Sequence, residues 1–366
     1  MVLTGVIVHE WLEPHGGAEK VVEELAAIFP DAPIKALWNA APERFTSDRV
    51  SETWMSRTPL RNHKGIAVPL MPVTWRHLGK SDAEWILCSS HLFAHHARFS
   101  GPARSAAKYV YAYTPARYIW NPELDRRGAS LAVRAASVPL KAIDRRRAQE
   151  PHAIAAISNF VRGRIKESWG RDSTVVYPPV DVEGFISASE ELSEHDQMIL
   201  DSLPDTFVLG ASRFIPYKRL DLVIDMGIAA DLDVVLAGDG PSLGALQHKA
   251  SEHPGRVTFV KHPSHTLLRA LYIRSLFYMF PPIEDFGIMP VEAMATGTPV
   301  VASAIGGASE TVQHGTTGVL LEGFSPAELR EAAQTVVTMD SAACVSRAWD
   351  FDRSSFAKEI RAWVGS

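Results

Sequence analysis

The stretch that decides the fold is LFYMFPPIEDFGIMPVEAMATGTPVVAS, from Leu276 to Ser303. It opens with a short apolar run that is typical of a buried strand, and it closes on a second such run, PVVAS. Between the two, a Pro-Pro loop leads into PVEAMATG, which predicts a helix rich in small residues. Strand, loop, helix and strand in this order make one βα unit of a parallel sheet. Two carboxylates belong to this unit: Glu284 lies in the loop, and Glu292 lies about one turn inside the helix.

The same alternation continues in both directions along the chain. Predicted strands in the first half are GVIVHE, EWILCSS, KYVYAYT and AIAAISN, and in the second half DTFVLGAS, LDVVLAGDG and RVTFVKH. The pattern predicts an α/β protein of two Rossmann-like doubly wound domains that face each other across a cleft. The paired prolines of VVYPPVDVEGF indicate an extended crossing between them. We expect domains at residues 1–180 and 181–350, with residues 351–366 forming a helix that packs back on the first domain.

Composition narrows the class of protein. The chain has 366 residues, a formal net charge of -5 and 46% hydrophobic residues, so it is expected to be globular and not to bind nucleic acid. Cys88 and Cys344 lie far apart in sequence and predict neither a disulfide framework nor a structural zinc site. The N-terminus lacks a basic flank and a long apolar core, which favours a cytoplasmic location.

The loops after the predicted strands carry the candidate ligand groups. Gly16 and Gly17 precede a helix whose first amides attract anions, so they indicate either a phosphate site or a flexible tight turn. The G-x-G-x-x-G fingerprint is absent there, which argues against a dehydrogenase. In the second half, Arg213 and Lys218 follow a predicted strand in GASRFIPYKRLD. Both are suited to holding a diphosphate, although isolated surface cations are the alternative interpretation.

The two carboxylates of the opening stretch fit a sugar ligand. A carboxylate that accepts two hydroxyl hydrogen bonds is a common way to hold a ribose or a hexose. The backbone amides of Phe286, Gly287 and Ile288 at the predicted helix start are suited to a sugar or phosphate oxygen. The alternative for Glu284 is that it caps the helix.

Together, EDFGIMPVE, AMATGTPVVAS and GGASETVQHGTTGVLL resemble the retaining glycosyltransferases of the GT-B fold, group 1, with their Glu-x7-Glu motif. HGGAEKVVEELA resembles the donor-phosphate loop of that family, and ASRFIPYKRLDLVI resembles its Arg-Lys loop. Mannosyltransferases that use GDP-mannose are prominent in the family. The resemblance implies acceptor binding by the first domain and nucleotide-sugar binding by the second.

The resemblance also implies a role for each candidate residue. Glu292 would hold the ribose and Glu284 the hydroxyls of the transferred sugar. The diphosphate would contact Arg213 and Lys218, with Gly17 approaching it. The base would lie near VKHPSHTLL, which includes Lys261 and His262. The family needs no metal ion, so no cofactor is expected beyond the nucleotide-sugar substrate.

In the first domain, YAYTPARYIWN resembles a family segment that carries a histidine where this chain has Tyr113. Arg117 matches the family pattern. We therefore expect Tyr113 to lie at the sugar end of the site. His91, His95 and His96 have helical spacing, but the sequence indicates no third metal ligand, and hydrogen-bonded or exposed histidines are the preferred interpretation.

A basic stretch runs from Arg126 to Arg147, with seven cations against Asp144 alone. It is interpreted as a solvated helix face or as a surface for anionic lipid, which would suit a peripheral enzyme on the inner face of the membrane. The expected partners are a nucleotide sugar and a glycan or polyprenyl-linked saccharide acceptor. Three alternatives stay open: another donor such as a UDP-sugar, a sugar-nucleotide epimerase, and a non-catalytic nucleotide-sugar-binding subunit.

Overall fold

The computed structural model describes residues 4–14, 16–120, 131–187 and 191–365. The chain divides into two compact units, one of residues 1–179 with 356–366 and one of residues 180–355. Both units are parallel α/β sheets covered by helices, so the predicted fold class is confirmed. Among the described residues, no helix combines the length and the apolar character needed to cross a bilayer.

The first unit contains a seven-stranded sheet in the order β3-β2-β1-β4-β5-β6-β7. The strands are β1 (Gly5–His9), β2 (Ile34–Ala36), β3 (Val50–Glu52), β4 (Trp85–Ser90), β5 (Ala107–Ala112), β6 (Ala153–Ala156) and β7 (Thr174–Val175). The helices are α1 (Gly17–Ile28), α2 (Lys64–Ala67), α3 (Met71–Trp75), α4 (Arg117–Trp120), α5 (Leu131–Arg147) and α6 (Asn159–Trp169).

The central strands of this sheet are its most apolar segments. All five residues of β1 are buried, and Ile7 of β1 lies opposite Ile34 of β2 on one side and Leu87 of β4 on the other. A parallel strand that is covered on both faces reads as a continuous apolar run, which is why β1 and β4 were predictable. At the edge, β2 and β3 are three residues each and β3 is mostly exposed, so the sequence gives no comparable signal for them.

The second unit contains a six-stranded sheet in the order β10-β9-β8-β11-β12-β13. The strands are β8 (Phe207–Ala211), β9 (Asp233–Ala237), β10 (Val257–Val260), β11 (Phe277–Phe280), β12 (Val300–Ser303) and β13 (Gly318–Leu321). The helices are α7 (Val182–Ser187), α8 (Glu194–Asp201), α9 (Asp221–Ala230), α10 (Leu243–Ser251), α11 (His265–Arg274), α12 (Ile288–Ala295), α13 (Ala308–Thr311), α14 (Pro326–Val336) and α15 (Ser341–Ala348).

The strand order determines where a ligand site is expected. From β8 the chain first adds β9 and β10 on one side and then crosses back to add β11, β12 and β13 on the other. Loops therefore diverge between β8 and β11, and this switch point at the carboxyl ends of the strands is the usual ligand site of open α/β sheets. In the first unit the same reversal occurs between β1 and β4.

The last helix, α16 (Arg353–Val364), continues from the second unit into the first. Within the first unit its Phe356 ring packs edge-on against Tyr111 with centroids 5.6 Å apart, and Trp363 lies 5.3 Å from Tyr109 in the same geometry. The breaks between the units follow residues 179 and 355, compared with the sequence boundaries of 180 and 350. Aromatic packing on β5 therefore ties the end of the chain to the first sheet.

Candidate active site

A cation and a carboxylate meet at the switch point of the second unit. Lys218 lies in a tight turn after β8, Glu284 lies in the loop after β11, and the Lys218 ammonium donates a hydrogen bond to the Glu284 carboxylate. Lys218 is only 8% exposed, and its ammonium also lies 5.6 Å from the ring centroids of Tyr217 and Phe280. The structure thus brings together two residues that are 66 positions apart and that the sequence assigned to one ligand.

A pocket of about 420 Å³ lies beside Lys218 at the carboxyl ends of β8, β9 and β10. Arg213 lines this pocket with Lys218, and its exposed guanidinium has no ion-pair partner within the described part of the chain. The loops that form the pocket are packed backbone to backbone. At Gly238, where φ is +136°, a Cβ atom would lie 1.9 Å from the Ser212 carbonyl oxygen, so only glycine allows this approach.

One residue that lines this pocket is a histidine with a left-handed backbone conformation. His262 has a φ of +46°, and its Nε2 lies 2.9 Å from a carboxylate oxygen of Asp239. A left-handed conformation outside glycine costs on the order of 1 kcal/mol and often marks a functional site. His262 lines the pocket as the sequence predicted. Lys261 is exposed and is not among the lining residues.

The loop that carries Glu284 is held by two glycines of the next βα loop, Gly306 and Gly307. The Gly307 amide donates to the Glu284 carbonyl oxygen at 2.7 Å. A Cβ atom on Gly306 would lie 2.9 Å from that same oxygen, and one on Gly307 would lie 2.3 Å from the Asp285 carbonyl oxygen. The segment GGASE, which resembles a family motif, thus positions the loop of Glu284.

The second glutamate is half-buried in α12, five residues into the helix. Burial raises the pKa of the Tyr278 hydroxyl well above its ordinary value, and the negative charges of Glu284 and Glu292 raise it further, so both carboxylates lie near one ring. The helix begins at Ile288 with Gly287 as its N-cap, two residues before the predicted start. Gly287 has no side chain to cap the first turn, and Phe286 is buried against the Phe351 ring.

Comparison with known proteins identifies this unit. A family model described as glycosyl transferases group 1 matches residues 194–347, which include every loop of the pocket. Residues 194–347 of the second unit thus match the group 1 glycosyltransferase family, as the Glu284 stretch indicated. The Glu-x7-Glu motif and retention of configuration stay predictions.

Relatives in two mycobacteria share part of the chain. A Mycobacterium tuberculosis protein named GDP-mannose-dependent alpha-(1-6)-phosphatidylinositol monomannoside mannosyltransferase is 29% identical over 216 residues, which cover 53% of this chain and 55% of that protein. A D-inositol 3-phosphate glycosyltransferase of Mycobacterium bovis is 30% identical over 167 residues, 43% of this chain and 34% of that protein. The chain thus spans about half the length of the first relative and a third of the second.

Solved structures match over nearly the whole chain. HepE from Anabaena, in complex with UDP, has a TM-score of 0.73 at 19% identity, with 99% of this chain and 100% of that chain covered. Sucrose-phosphate synthase from Thermosynechococcus elongatus has a TM-score of 0.69 at 16% identity, with 98% of each chain covered. At these identities the likeness shows the fold, and the predicted GT-B architecture is confirmed.

Outside the group 1 domain, the switch point of the first unit holds a buried carboxylate that sequence analysis missed. Glu10 follows β1, is fully buried, and accepts backbone N–H bonds from His91, Leu92 and Ala94 at 2.8–3.2 Å. Its other oxygen lies 3.3 Å from Nδ1 of His91, whose side chain is 27% exposed. Burial by itself raises the pKa of Glu10, but His91, His9 and the backbone N–H groups of Ala94 and Leu92 together outweigh burial and lower it. Glu10 therefore ties the backbone of His91 to the end of β1, and the imidazole of His91 lies beside the carboxylate.

Tyr113 lies beside this pair, directly after β5. Its hydroxyl is 2.9 Å from Oγ of Ser89 and donates to the carbonyl oxygen of Ala18 at 3.2 Å. Burial raises the pKa of Tyr113 far above its ordinary value, so the hydroxyl stays protonated. The tyrosine that stands in the family's histidine position is thus hydrogen-bonded between two elements of the first unit, and the nearest histidine ring is that of His91, 6.3 Å away.

The predicted phosphate loop of the first unit carries an acidic side chain. Helix α1 begins at Gly17, and a Cβ atom on Gly16 would lie 1.9 Å from a carboxylate oxygen of Glu19. Glu19 is buried and accepts the Glu13 amide at 3.2 Å. A carboxylate in the first turn of a helix is stabilised by the free amides and by the dipole of the helix, much as a phosphate would be. The turn interpretation therefore explains the close packing of Gly16 against this carboxylate.

His91, His95 and His96 belong to two clusters, and His95 and His96 are hydrogen-bonded to Ser90 and Asp144, in agreement with the preferred interpretation. His91 faces Glu10, whereas Nε2 of both His95 and His96 lies 3.0 Å from Asp144. Two indole N–H groups, from Trp120 and Trp169, also donate to Asp144 at 2.7 Å. Each cluster offers the third ligand that the sequence did not indicate. In the Asp144 cluster, however, the indoles already satisfy the carboxylate, which explains its burial without an ion.

Part of the basic stretch lies outside the described residues, including Arg126 and Arg127. Of the rest, Arg145 donates to the Ser168 carbonyl oxygen at 2.8 Å, and Arg147 donates to Glu150 at 2.8 Å. These two arginines therefore contact the protein itself, whereas Arg146 is exposed. Association of the stretch with anionic lipid stays a prediction.

Proposed function

We propose that this chain is a retaining glycosyltransferase that moves a hexose from a nucleoside diphosphate sugar to a hydroxyl group of a glycan or polyprenyl-linked acceptor. The observation that carries the proposal is the contact of Lys218 with Glu284 at the switch point, beside a pocket that Arg213 also lines. A cation for the diphosphate and a carboxylate for the sugar hydroxyls are thus adjacent, as a donor of this class requires.

The Lys218–Glu284 ion pair is suited to the donor-free state of the enzyme. Each group neutralises the other, which lowers the cost of holding two charges in a largely buried place. When the donor binds, its diphosphate takes over the Lys218 ammonium together with the Arg213 guanidinium. Glu284 is then released to accept hydrogen bonds from the sugar. Both charges stay compensated before and after binding, so little reorganisation accompanies catalysis.

In the proposed reaction, the bond between the anomeric carbon and the diphosphate oxygen breaks while the acceptor oxygen forms its bond on the same face. The acceptor proton passes to the departing phosphate oxygen, and the products are a glycoside and a nucleoside diphosphate. Lys218 and Arg213 stabilise the negative charge that grows on the leaving group. Glu284 stabilises the positive charge that develops on the sugar ring. The described side chains of this pocket supply the charges without a metal ion, so we propose metal-independent transfer.

Mannose from GDP-mannose is the proposed donor, supported by the printed name of the M. tuberculosis relative. A UDP-sugar is the competing donor, since HepE binds UDP in its crystals. Thermal unfolding with GDP-mannose, GDP, UDP-glucose and UDP separates the two. A ligand at one hundred times its dissociation constant adds roughly 2.7 kcal/mol to the free energy of unfolding. Stabilisation by GDP-mannose and GDP alone supports the proposal. Stabilisation by the UDP compounds alone would show that the donor is a UDP-sugar and not GDP-mannose.

The activity itself is tested by identifying the reaction products. Incubation with the stabilising donor and a polyprenyl-linked saccharide should release nucleoside diphosphate and yield an acceptor one hexose larger, with the anomeric configuration of the donor. The same incubation in excess chelator should proceed at the same rate. A product of opposite configuration contradicts retention, and activity that a chelator abolishes and Mg²⁺ or Mn²⁺ restores contradicts metal independence. Because a polyprenyl acceptor is held in a bilayer, the proposal includes a peripheral location on the inner face of the cell membrane.

A further inference from the structure

Two adjoining cavities lie in the first unit at the amino ends of β4 and β5, on the opposite edge of the sheet from Glu10 and His91. Their volumes are about 290 Å³ and 520 Å³, and they share the side chains of Arg76, Arg98, Phe99 and Arg104 as walls. Lys108, the second residue of β5, lines the smaller cavity. Neither cavity contains a residue that the glycosyltransferase proposal uses. We refer to the two together as the basic pocket.

The basic pocket has an excess of positive charge that its one carboxylate does not balance. Four cations line the smaller cavity, and Glu150 is the single acidic residue there. Glu150 is already bound to Arg76 at 2.6 Å, Lys108 at 3.1 Å and Arg147 at 2.8 Å. Burial by itself raises the pKa of Glu150, but these cations outweigh burial and lower it to about 2.

Two arginines are left to face the pocket. Within the described ranges of the chain, no carboxylate forms an ion pair with Arg98 or Arg104. Arg98 also lowers the pKa of Arg76 by charge repulsion, although burial is the larger cause, so the guanidinium groups lie close to one another. Like charges held close together in the unliganded protein are destabilising unless an anion joins them.

The side chains of Arg98 and Arg104 are exposed, but the backbone and the lysine behind them are held in place. The Arg98 amide donates to the Trp75 carbonyl oxygen at 2.8 Å, and the Ser100 amide donates to that of Gly79 at 2.8 Å. Lys108 is 7% exposed, and its ammonium also donates to the carbonyl oxygens of His95 and Ala97 at 3.0 and 3.2 Å. The backbone that carries Arg98 is therefore tied on both sides, and the Lys108 ammonium is held at the base of the pocket.

We infer that the basic pocket binds a phosphate group, with Arg98 and Arg104 as its principal contacts. A phosphate dianion offsets most of the charge excess, and its oxygens match the planar fork of a guanidinium. The wider cavity, with Leu78 and Phe99 in its walls, leaves room for the organic part of a phosphate ester. The ester is either a soluble metabolite or the headgroup of an anionic lipid, since both present the same phosphate chemistry.

The test uses the full chain and a matched pair of variants. Arg98→Gln/Arg104→Gln removes the two unpaired cations of the pocket, and Arg57→Gln/Arg61→Gln removes two exposed cations of the same unit outside it. Binding of inorganic phosphate and pyrophosphate is measured by calorimetry. Co-sedimentation is measured with vesicles of phosphatidylcholine alone and with added phosphatidylglycerol. Both pairs are also made in an Arg213→Gln background, which separates this binding from any phosphate held in the pocket of the second unit.

In the Arg213→Gln background, the inference predicts that Arg98→Gln/Arg104→Gln weakens binding by about tenfold or more, while the control pair retains it. Loss confined to phosphate and pyrophosphate identifies a soluble ester, and loss confined to phosphatidylglycerol vesicles identifies a lipid headgroup. Equal binding in that background with and without Arg98→Gln/Arg104→Gln, or no binding of any probe by wild type, overturns the inference. The single variants Arg98→Gln and Arg104→Gln replace the double one if its unfolding temperature falls. No outcome depends on glycosyl transfer.

Discussion

The two units have sheets of the same strand order but different chemistry where the order reverses. In the second unit, the loops after β8 and β11 bring Lys218 to Glu284 beside a pocket that Arg213 also lines. In the first unit, the loops after β1 and β4 bring Glu10 to His91. The backbone path is equivalent in the two cases, because the switch point lies after the first and fourth strands of each series.

The difference shows which ligand each edge is suited to hold. Lys218 and Arg213 present fixed positive charge, which suits a diphosphate. At the corresponding edge of the first unit, a fully buried carboxylate lies beside a partly exposed imidazole, and Tyr113 keeps its proton. Such groups donate and accept hydrogen bonds, and they suit hydroxyl groups better than phosphates. The fold supplies two equivalent positions, and their side chains suit an anion in the second unit and a neutral polar ligand in the first.

The largest effect is expected from Lys218→Met, which keeps the length of the side chain and removes its charge. Loss of the ammonium that stabilises the negative charge of the leaving group should reduce turnover by about a thousandfold. The matched control is Lys249→Met, because Lys249 forms an ion pair with Asp225 on the surface of the same unit. Steady-state kinetics of both variants measures the effect. Equal turnover in the two variants would remove Lys218 from the catalytic groups.

Acid should destabilise the first unit by roughly 3 kcal/mol for each of two buried histidines. Burial lowers the pKa of His9 and of His96 to about 4. As the pH falls from 6.5 towards 4, the unfolded chain gains protons at both residues and the folded unit does not, so stability is lost as the pH falls. Eight of the nine tryptophans lie in this unit, so urea unfolding followed by tryptophan fluorescence at pH 7 and pH 4.5 reports on it.

His96→Gln should flatten this pH dependence, whereas His77→Gln, at an exposed position, should leave it unchanged. A wild-type free energy of unfolding that is the same at both pH values would show that the buried histidines do not resist protonation in the folded unit.

The two glutamates of the second unit should differ in the kinetic constant that they change. Glu284→Gln should lower turnover by about a hundredfold with little change in nucleoside diphosphate affinity, because its charge acts on the transition state. Glu292→Gln should chiefly raise the donor KM by about tenfold, because a ribose contact is the same in the ground and transition states. If Glu284→Gln instead loses stability and keeps its turnover per folded molecule, Glu284 only stabilises the fold through its contact with Lys218.

The smallest effect is expected from the glycine that positions Glu284. A Cβ atom at Gly307 would lie 2.3 Å from the Asp285 carbonyl oxygen, so Gly307→Ala should displace the loop and reduce turnover by about tenfold. Gly244→Ala is the control: no atom lies within 4 Å of its Cβ position in α10, and the change should stabilise the unit by about 0.5 kcal/mol. Normal turnover in Gly307→Ala would mean that the loop adapts.

Local patterns account for what the sequence predicted correctly. Lys218 and Glu284 each follow a short but fully buried strand, so their place at the carboxyl edge of a sheet follows from the βα alternation alone. The contact of Glu10 with His91 joins residues 81 positions apart and depends on β1 and β4 being neighbours, which no local pattern encodes. Likewise, the approach of Glu19 to Gly16 depends on how a side chain folds back, and the short edge strands carry too few apolar residues to be recognised.

The central claim is that Lys218 holds the diphosphate while Glu284 holds the transferred sugar, and calorimetric titration with nucleoside diphosphate tests it most directly. The ligand lacks the sugar, so the account predicts about tenfold or weaker binding to Lys218→Met and nearly unchanged binding to Glu284→Gln. Titration with the intact donor sugar should then weaken for both variants. Undiminished binding of the nucleoside diphosphate by Lys218→Met, or equal weakening by both variants, would contradict the account.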